Sequence, residues 1–200
     1  MHRLEMDDDD GQSMPPSLPP DIQRDDLQGI EQGVGPLFHR RYRTTIRDAS
    51  FTAPELVDRI GKNLNIVAPT ELARFIRSTG QPGLMQVGDE YLVRMPGPWD
   101  GPVRVVEKTS TSFRFATLKG HLEAGQIEFR AHEGDMLCFE IESWARSGDR
   151  LSNLLFNHLR MAKEVQLHMW TSVLERVIRL TNGRRSGSVT IETHRFKMDA

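Results

Sequence analysis

The feature that most limits what this chain can fold into is an apolar period of helical spacing across residues 149–181. Leu151, Leu155, Leu159, Ala162, Val165, Met169, Val173, Val177 and Leu180 recur at steps of three or four, so they share one face of a helix. A rod of that length needs a long apolar surface to lie on. The strand-like segments before it can supply one.

Residues 38–47 alternate, with Tyr42, Thr44 and Ile46 on one side and Arg41, Arg43, Thr45 and Arg47 on the other, as a strand with a charged outer face would. Residues 53–64 read as a helix. Ser50 or Thr52 can cap it, Pro54 suits its first turn, and Leu56, Val57 and Ile60 form an apolar stripe. A second short helix is expected after Pro69 and Thr70, with Leu72, Phe75 and Ile76 turned inward and Gly80, Pro82 and Gly83 stopping it.

Five strand-like stretches follow, near 91–95, 103–108, 112–118, 126–131 and 136–145, joined by short turns that favour hairpins. Val103, Val105, Phe113, Phe115, Ile127, Phe129, Leu137, Phe139 and Ile141 fall on one face. Arg104, Arg114, Glu128, Arg130, Glu140 and Glu142 fall on the other, expected to be a solvated face laced with cross-strand ion pairs. The fold class is therefore α+β: a curved antiparallel sheet of about six strands around a long C-terminal helix, with two short helices after the first strand. A sheet that grips a helix in this way often leaves a cavity between the two.

Charge divides the chain, although its net value is only -2. Residues 1–32 hold Glu5, Asp7 to Asp10, Asp21, Asp25, Asp26 and Glu31 against Arg3 and Arg24, and also carry Pro15, Pro16, Pro19 and Pro20. So few bulky apolar residues argue for a solvated, disordered tail. Residues 33–182 then form one domain, and residues 183–200 are a polar tail or an added edge strand. Arg40, Arg41 and Arg43 cluster, as do Arg184 and Arg185, but no zinc spacing, helix-turn-helix or aromatic strand motif accompanies them, so no nucleic-acid partner is expected. No apolar run is long enough to span a bilayer and no leader pattern opens the chain, which reads as cytoplasmic. Cys138, the single cysteine, sits in an apolar strand-like stretch and is expected to be packed.

The element order resembles the helix-grip fold of the START-like superfamily, which also includes the birch-pollen-allergen family and polyketide cyclases. More specifically, Thr117-Leu118-Lys119-Gly120-His121-Leu122-Glu123-Ala124-Gly125, closing on Phe129, resembles the signature of an uncharacterised protein family of bacteria and plants, family 0548. Gly33-Val34-Gly35 before the first strand, Pro98-Trp99 and the final helix match as well. The resemblance implies the helix-grip fold. It carries no catalytic residue across.

Candidate chemistry concentrates where the turn after residue 118 meets the sheet. His121 lies two residues from Glu123, a spacing that suits either a general base with a carboxylate or a satisfied hydrogen bond. Trp99, in a loop held by Pro96, Pro98 and Pro102, suits a stacking platform or a core plug. Trp170 is a cavity-lining candidate on the long helix, while Trp144 reads as packing. Arg94, Gln166 and His168 are candidates for polar groups in a mostly apolar pocket. His158 and His168 are ten apart and fall on different helical faces, and no phosphate loop, dinucleotide fingerprint or nucleophile elbow is present, so neither metal nor cofactor is expected.

The function these features suggest first is binding of a hydrophobic, lipid-like or aromatic small molecule in an internal cavity, with Arg94, Trp99, His121, Glu123, Gln166 and Trp170 as ligand contacts. A cyclase or hydrolase using His121 and Glu123 is the alternative. A protein-interaction module engaging a basic partner through the acidic tail is the second.

Overall fold

In a computed structural model, residues 2–7, 14–96, 100–148 and 158–198 are described, without the side chains of 5–7 and 158–165. Among the described residues nine strands form one sheet: β1 (His2–Asp7), β2 (Gly33–Arg47), β3 (Arg74–Thr79), β4 (Glu90–Arg94), β5 (Asp100–Lys108), β6 (Ser112–Thr117), β7 (Glu123–Glu133), β8 (Leu137–Gly148) and β9 (Arg184–Phe196). Their order across the sheet is β1-β9-β2-β8-β7-β6-β5-β4-β3. Every neighbouring pair is antiparallel except β1 and β9, which run parallel. Helix α1 (Ala53–Lys62) follows β2 and helix α2 (His158–Leu180) precedes β9.

Local chemistry explains the elements that periodicity finds. Helix α1 opens on a capping box in which the Thr52 hydroxyl accepts from the Glu55 N–H while Glu55 accepts from the Thr52 N–H. Its buried line, Leu56, Val57 and Ile60, enters the core. Helix α2 ends at Leu180, and two residues on Asn182, whose φ of 53° is a left-handed position that asparagine tolerates, turns the chain into β9. Leu167, Trp170, Val173, Leu174, Val177 and Ile178 carry the three-and-four spacing into contact with the sheet. The first part of the expected rod, residues 149–157, lies outside the described residues.

The inner face of the sheet holds the main core: Tyr42 and Ile46 of β2, Val103 and Val105 of β5, Phe113 and Phe115 of β6, Phe129 of β7, Phe139 and Ile141 of β8, and Ile191 of β9, under both helices. The inward-facing set expected from alternation is thus the set that packs. Full burial of each such side chain contributes on the order of 2 kcal/mol.

Several expectations need correction. The sheet has nine strands rather than six, because β1, β3 and β9 add to it. The second short helix does not form: residues 74–79 are β3, paired with β4 from Arg74↔Arg94 to Thr79↔Glu90. As part of edge strand β3, Phe75 packs on the core beside Phe115 while Ile76 stays exposed on the other side, the alternation a strand provides. Residues 183–200 do not supply an outermost strand, since β9 sits between β1 and β2.

The N-terminal segment departs most from its composition. Residues 14–32 lie on the outer face of the sheet, where Ile22 and Leu27 pack with Val106, Ala116 and Leu118, and Ile30 packs with Leu37, Trp144 and Phe196. The Arg114 guanidinium donates to the carbonyls of Pro16 and Ser17, and Arg104 donates to the Gln23 carbonyl and the Asp26 carboxylate. The outer face is accordingly not solvated: Arg104, Arg114, Glu140 and Glu142 are all buried. The expected cross-strand ion pairs are present, joining Arg41 to Glu142, Arg130 to Glu140 and Glu142, and Arg114 to Glu107. Among the described residues no helix is long and apolar enough to cross a membrane.

Candidate functional site

The inner face of β2, β7 and β8 changes character toward one end. Past Ile141 and Phe129, successive inward positions become Ser143, Ala145 and Ser147 on β8 and Ile127, Gly125 and Glu123 on β7, paired as Ile127↔Ser143, Gly125↔Ala145 and Glu123↔Ser147. These are small side chains where Ile141 and Phe139 stand further along, and Ser143, Ala145 and Gly125 are themselves buried. Gly125 is also required by its neighbour strand: a Cβ there would lie 1.9 Å from the Trp144 carbonyl oxygen.

Above this floor stands a chain of three polar side chains. Gln166 of α2 donates its Nε2 hydrogen to Glu123 Oε1 at 2.7 Å and accepts at Oε1 from Arg40 at 3.1 Å. Arg40 lies on the inner face of β2, in phase with Tyr42 and opposite Ser143 and Thr193. Its guanidinium carbon lies 4.6 Å above the Phe38 ring. Among the described residues no carboxylate forms an ion pair with Arg40, although the residue is only 8% exposed. Burial pushes the neighbouring Tyr42 phenol up to about 12, against the opposing pull of the Arg40 cation.

The apolar wall is formed by Ile127, Phe129, Leu167 and Trp170. Trp170 meets Phe129 edge to face, with centroids 5.7 Å apart, and remains only partly buried. Glu123, Gln166 and Trp170 are therefore brought together as three of the named candidates, and Arg40, from the basic cluster of β2, joins them. Its phase held the signal: Arg40 is two residues from Tyr42, on the apolar side of β2.

His121 sits beside this group without pairing with the Glu123 carboxylate. Its Nδ1 lies 2.9 Å from the Glu123 backbone nitrogen and 3.0 Å from the Glu123 carbonyl oxygen, while Nε2 faces Gly101. Desolvation by burial pushes the imidazole below its ordinary value, against the smaller opposing pull of Glu123. Gln28 holds the same turn from outside, donating to the carbonyls of His121 and Glu123 and accepting from the Gly120 N–H. The geometry is that of a folded, satisfied turn.

Other candidates fall elsewhere. Arg94 alternates with the inward Tyr91 and Val93, so it leaves the sheet on the other side, where it pairs with Asp100 at 3.5 Å. His168 is exposed on α2. Trp99 lies outside the described residues. Cys138 is buried on the outer face and accepts from Arg43 Nε at 3.1 Å. Among the described residues no group of three or more metal-ligating side chains is assembled. A groove of about 500 Å³ does open at the opposite end of the sheet, lined by Ile46, Phe51, Asp135, Met136 and neighbouring residues, remote from the Arg40 group.

Sequence reasoning also missed a buried pair on the outer face. His39 donates from Nε2 to Glu142 Oε1 at 2.7 Å and stacks on Trp144 at 5.3 Å and 3°. Burial alone would raise the Glu142 carboxyl, but hydrogen bonds from His39 and Arg41 and the nearby Arg130 and Arg41 cations outweigh it and hold the group at about 2. Burial of this pair among Arg41, Arg130 and Trp144 suits it to stability rather than to catalysis.

Residues 67–176 match the model of a family described as a domain of unknown function, DUF1990. No curated protein matches the chain. Among solved structures, it is similar to norcoclaurine synthase from Thalictrum flavum, at 11% identity over 82% of this chain and 98% of that one, with a TM-score of 0.48. It is also similar to Ara h 8.0201, at 12% identity over 71% and 99% with a TM-score of 0.45. A protein of Deinococcus radiodurans, DR_A0006, gives 12% identity over 71% and 92% with a TM-score of 0.43.

Proposed function

The chain belongs to this family of domains of unknown function, and on that footing we propose that it is a binding module for an apolar small molecule held between the sheet and helix α2. One observation carries the reading: Ser143, Ala145 and Ser147 leave the inner floor low beneath α2, while Ile127, Leu167 and Trp170 beside it stay only partly covered. Apolar side chains left half-covered next to an underfilled floor gain free energy from a guest, at about 25 cal/mol per Å² removed from water. The ligand contacts are Glu123, Gln166, Trp170 and Arg40, with His121 shaping the rim. The segment from Thr117 to Gly125 supports grouping the chain with uncharacterised protein family 0548 in the START-like superfamily, and a cytoplasmic location fits the same reading.

Binding is favoured over a cyclase or hydrolase built on His121 and Glu123, since each of the two side chains is already engaged: one by a backbone N–H, the other by Gln166. A freely solvated acidic tail engaging a partner is the less favoured reading, because residues 2–7 pair with β9 and residues 14–32 are used in packing.

The test is saturable binding of the neutral dye N-phenyl-1-naphthylamine to the purified protein and to Ser143→Leu, which raises the floor. The wild type is expected to bind, and the variant to bind at least about tenfold more weakly, a loss of roughly 1.4 kcal/mol, with an unchanged far-ultraviolet spectrum. Absence of saturable binding to the wild type, or equal binding to a folded variant, would sink the proposal.

A further inference from the structure

The inner end of the site contains an electrostatic imbalance. A buried guanidinium in a low-dielectric setting is costly unless a counter-charge meets it. Arg40, nine-tenths buried, has as its hydrogen-bond partner among the described residues a neutral one, Gln166 Oε1, and rests on the neutral ring of Phe38. The nearest acid in the chain of contacts, Glu123, is one side chain removed, because the Gln166 amide stands between them. Two of the other buried arginines meet acids, Arg104 both Asp26 and Glu90, and Arg114 Glu107, while the third, Arg146, donates to the backbone carbonyls of Gly35 and Ile30 on a side of the molecule with no proposed cavity. Arg40 is set apart by facing the underfilled floor of the proposed cavity without such an acid.

We infer that Arg40 is the head-group subsite of this cavity, and that the ligand is an amphiphile with a monoanionic carboxylate on an apolar body. The planar fork of a guanidinium matches a carboxylate in a two-point contact, and NH1 is already aligned by Gln166. A single charge suits the site better than a double one. Glu123 lies just beyond Gln166, so a dianionic phosphate would leave a larger negative excess among the three neighbouring groups than a carboxylate does. The apolar body would run along the floor toward Ile127 and Trp170. Ser143 and Thr193, the residues paired with Arg40 on either side, put short hydroxyl-bearing side chains where a bulky pair would shut the subsite.

The inference rests on the proposed cavity, so the experiment separates the two. Titration calorimetry would compare dodecanoate, dodecyl phosphate and dodecan-1-ol on the full chain, on Arg40→Gln and on Arg40→Lys, with melting temperatures recorded alongside. Dodecanoate is expected to bind the wild type at least about tenfold tighter than dodecan-1-ol, roughly 1.4 kcal/mol, and tighter than dodecyl phosphate. In Arg40→Gln the acid and the alcohol should bind alike. Arg40→Lys, which keeps the charge and loses the fork, should retain a reduced preference. Equal binding of acid and alcohol to the wild type, or a preference undiminished in folded Arg40→Gln, overturns the anion subsite and leaves the cavity standing. A preference for the phosphate overturns the monoanion assignment. Failure of all three to bind removes both the subsite and the cavity.

Discussion

Arg104 and Asp26 meet in a two-pronged ion pair, at 2.7 and 2.6 Å, although 78 positions separate them in the chain. The Arg104 side chain is 6% exposed and that of Asp26 is 42% exposed, so the pair closes over the outer face of β5 like a clasp. Hydrogen bonding to Arg104 holds the Asp26 carboxyl below its ordinary value, against a smaller desolvation effect.

Asp26→Ala should therefore loosen the N-terminal segment without unfolding the sheet, because Glu90 still faces Arg104. With Asp26 partly in water, the expected loss is only about 1 kcal/mol. Hydrogen exchange should speed up at residues 22–28 more than in β6 or β7. Uniform acceleration across the sheet would show instead that the segment and the sheet unfold together.

Acid should expose the Glu142 pair. The carboxyl falls from 4.5 to about 2 in the folded chain, a depression worth roughly 3 kcal/mol. For a depressed acid, the stability is fully present above the unfolded value and is lost as pH falls from about 4.5 toward 2. Urea midpoints measured across that range should drop steeply for the wild type and less steeply for Glu142→Gln, which starts lower at neutral pH. Parallel slopes for the two proteins would rule out this assignment.

His121 behaves as a turn-former in the geometry, its Nδ1 replacing the acceptor that an asparagine side chain offers two residues before a backbone N–H. His121→Ala is expected to cost about 1–2 kcal/mol, and His121→Asn to restore part of that. Because burial holds the imidazole below its ordinary value, the unfolded chain binds the proton more readily. This contribution should be full above about 6.5 and decline as pH falls. Equal melting temperatures for Ala and Asn variants would remove the turn-forming role.

Much of this architecture was legible in the sequence. The inward residues of β5 to β8, the capped start of α1 and the grip of a C-terminal helix all follow from spacing, since a period of two or 3.6 is a property of the local backbone. The candidate site was legible in part. Glu123, Gln166 and Trp170 were named, while Arg40 was hidden by its basic neighbours and Arg94 was misplaced. Their own alternation with Tyr42 and with Tyr91 sorts both correctly.

What the chain dictates alone, then, is which side chains share a face. Which face stays dry depends on what arrives from elsewhere: residues 14–32, acidic and proline-rich, still cover Arg104 and Arg114 because Ile22 and Leu27 find Val106 and Leu118 to pack against. Phe75 and Ile76 likewise become β3 because β4 offers an open edge. Burial, ion pairing and the meeting of Arg40 with Gln166 across 126 positions are long-range events. Their free energies come from partners that no local window of sequence contains, and only the folded chain brings those partners within reach.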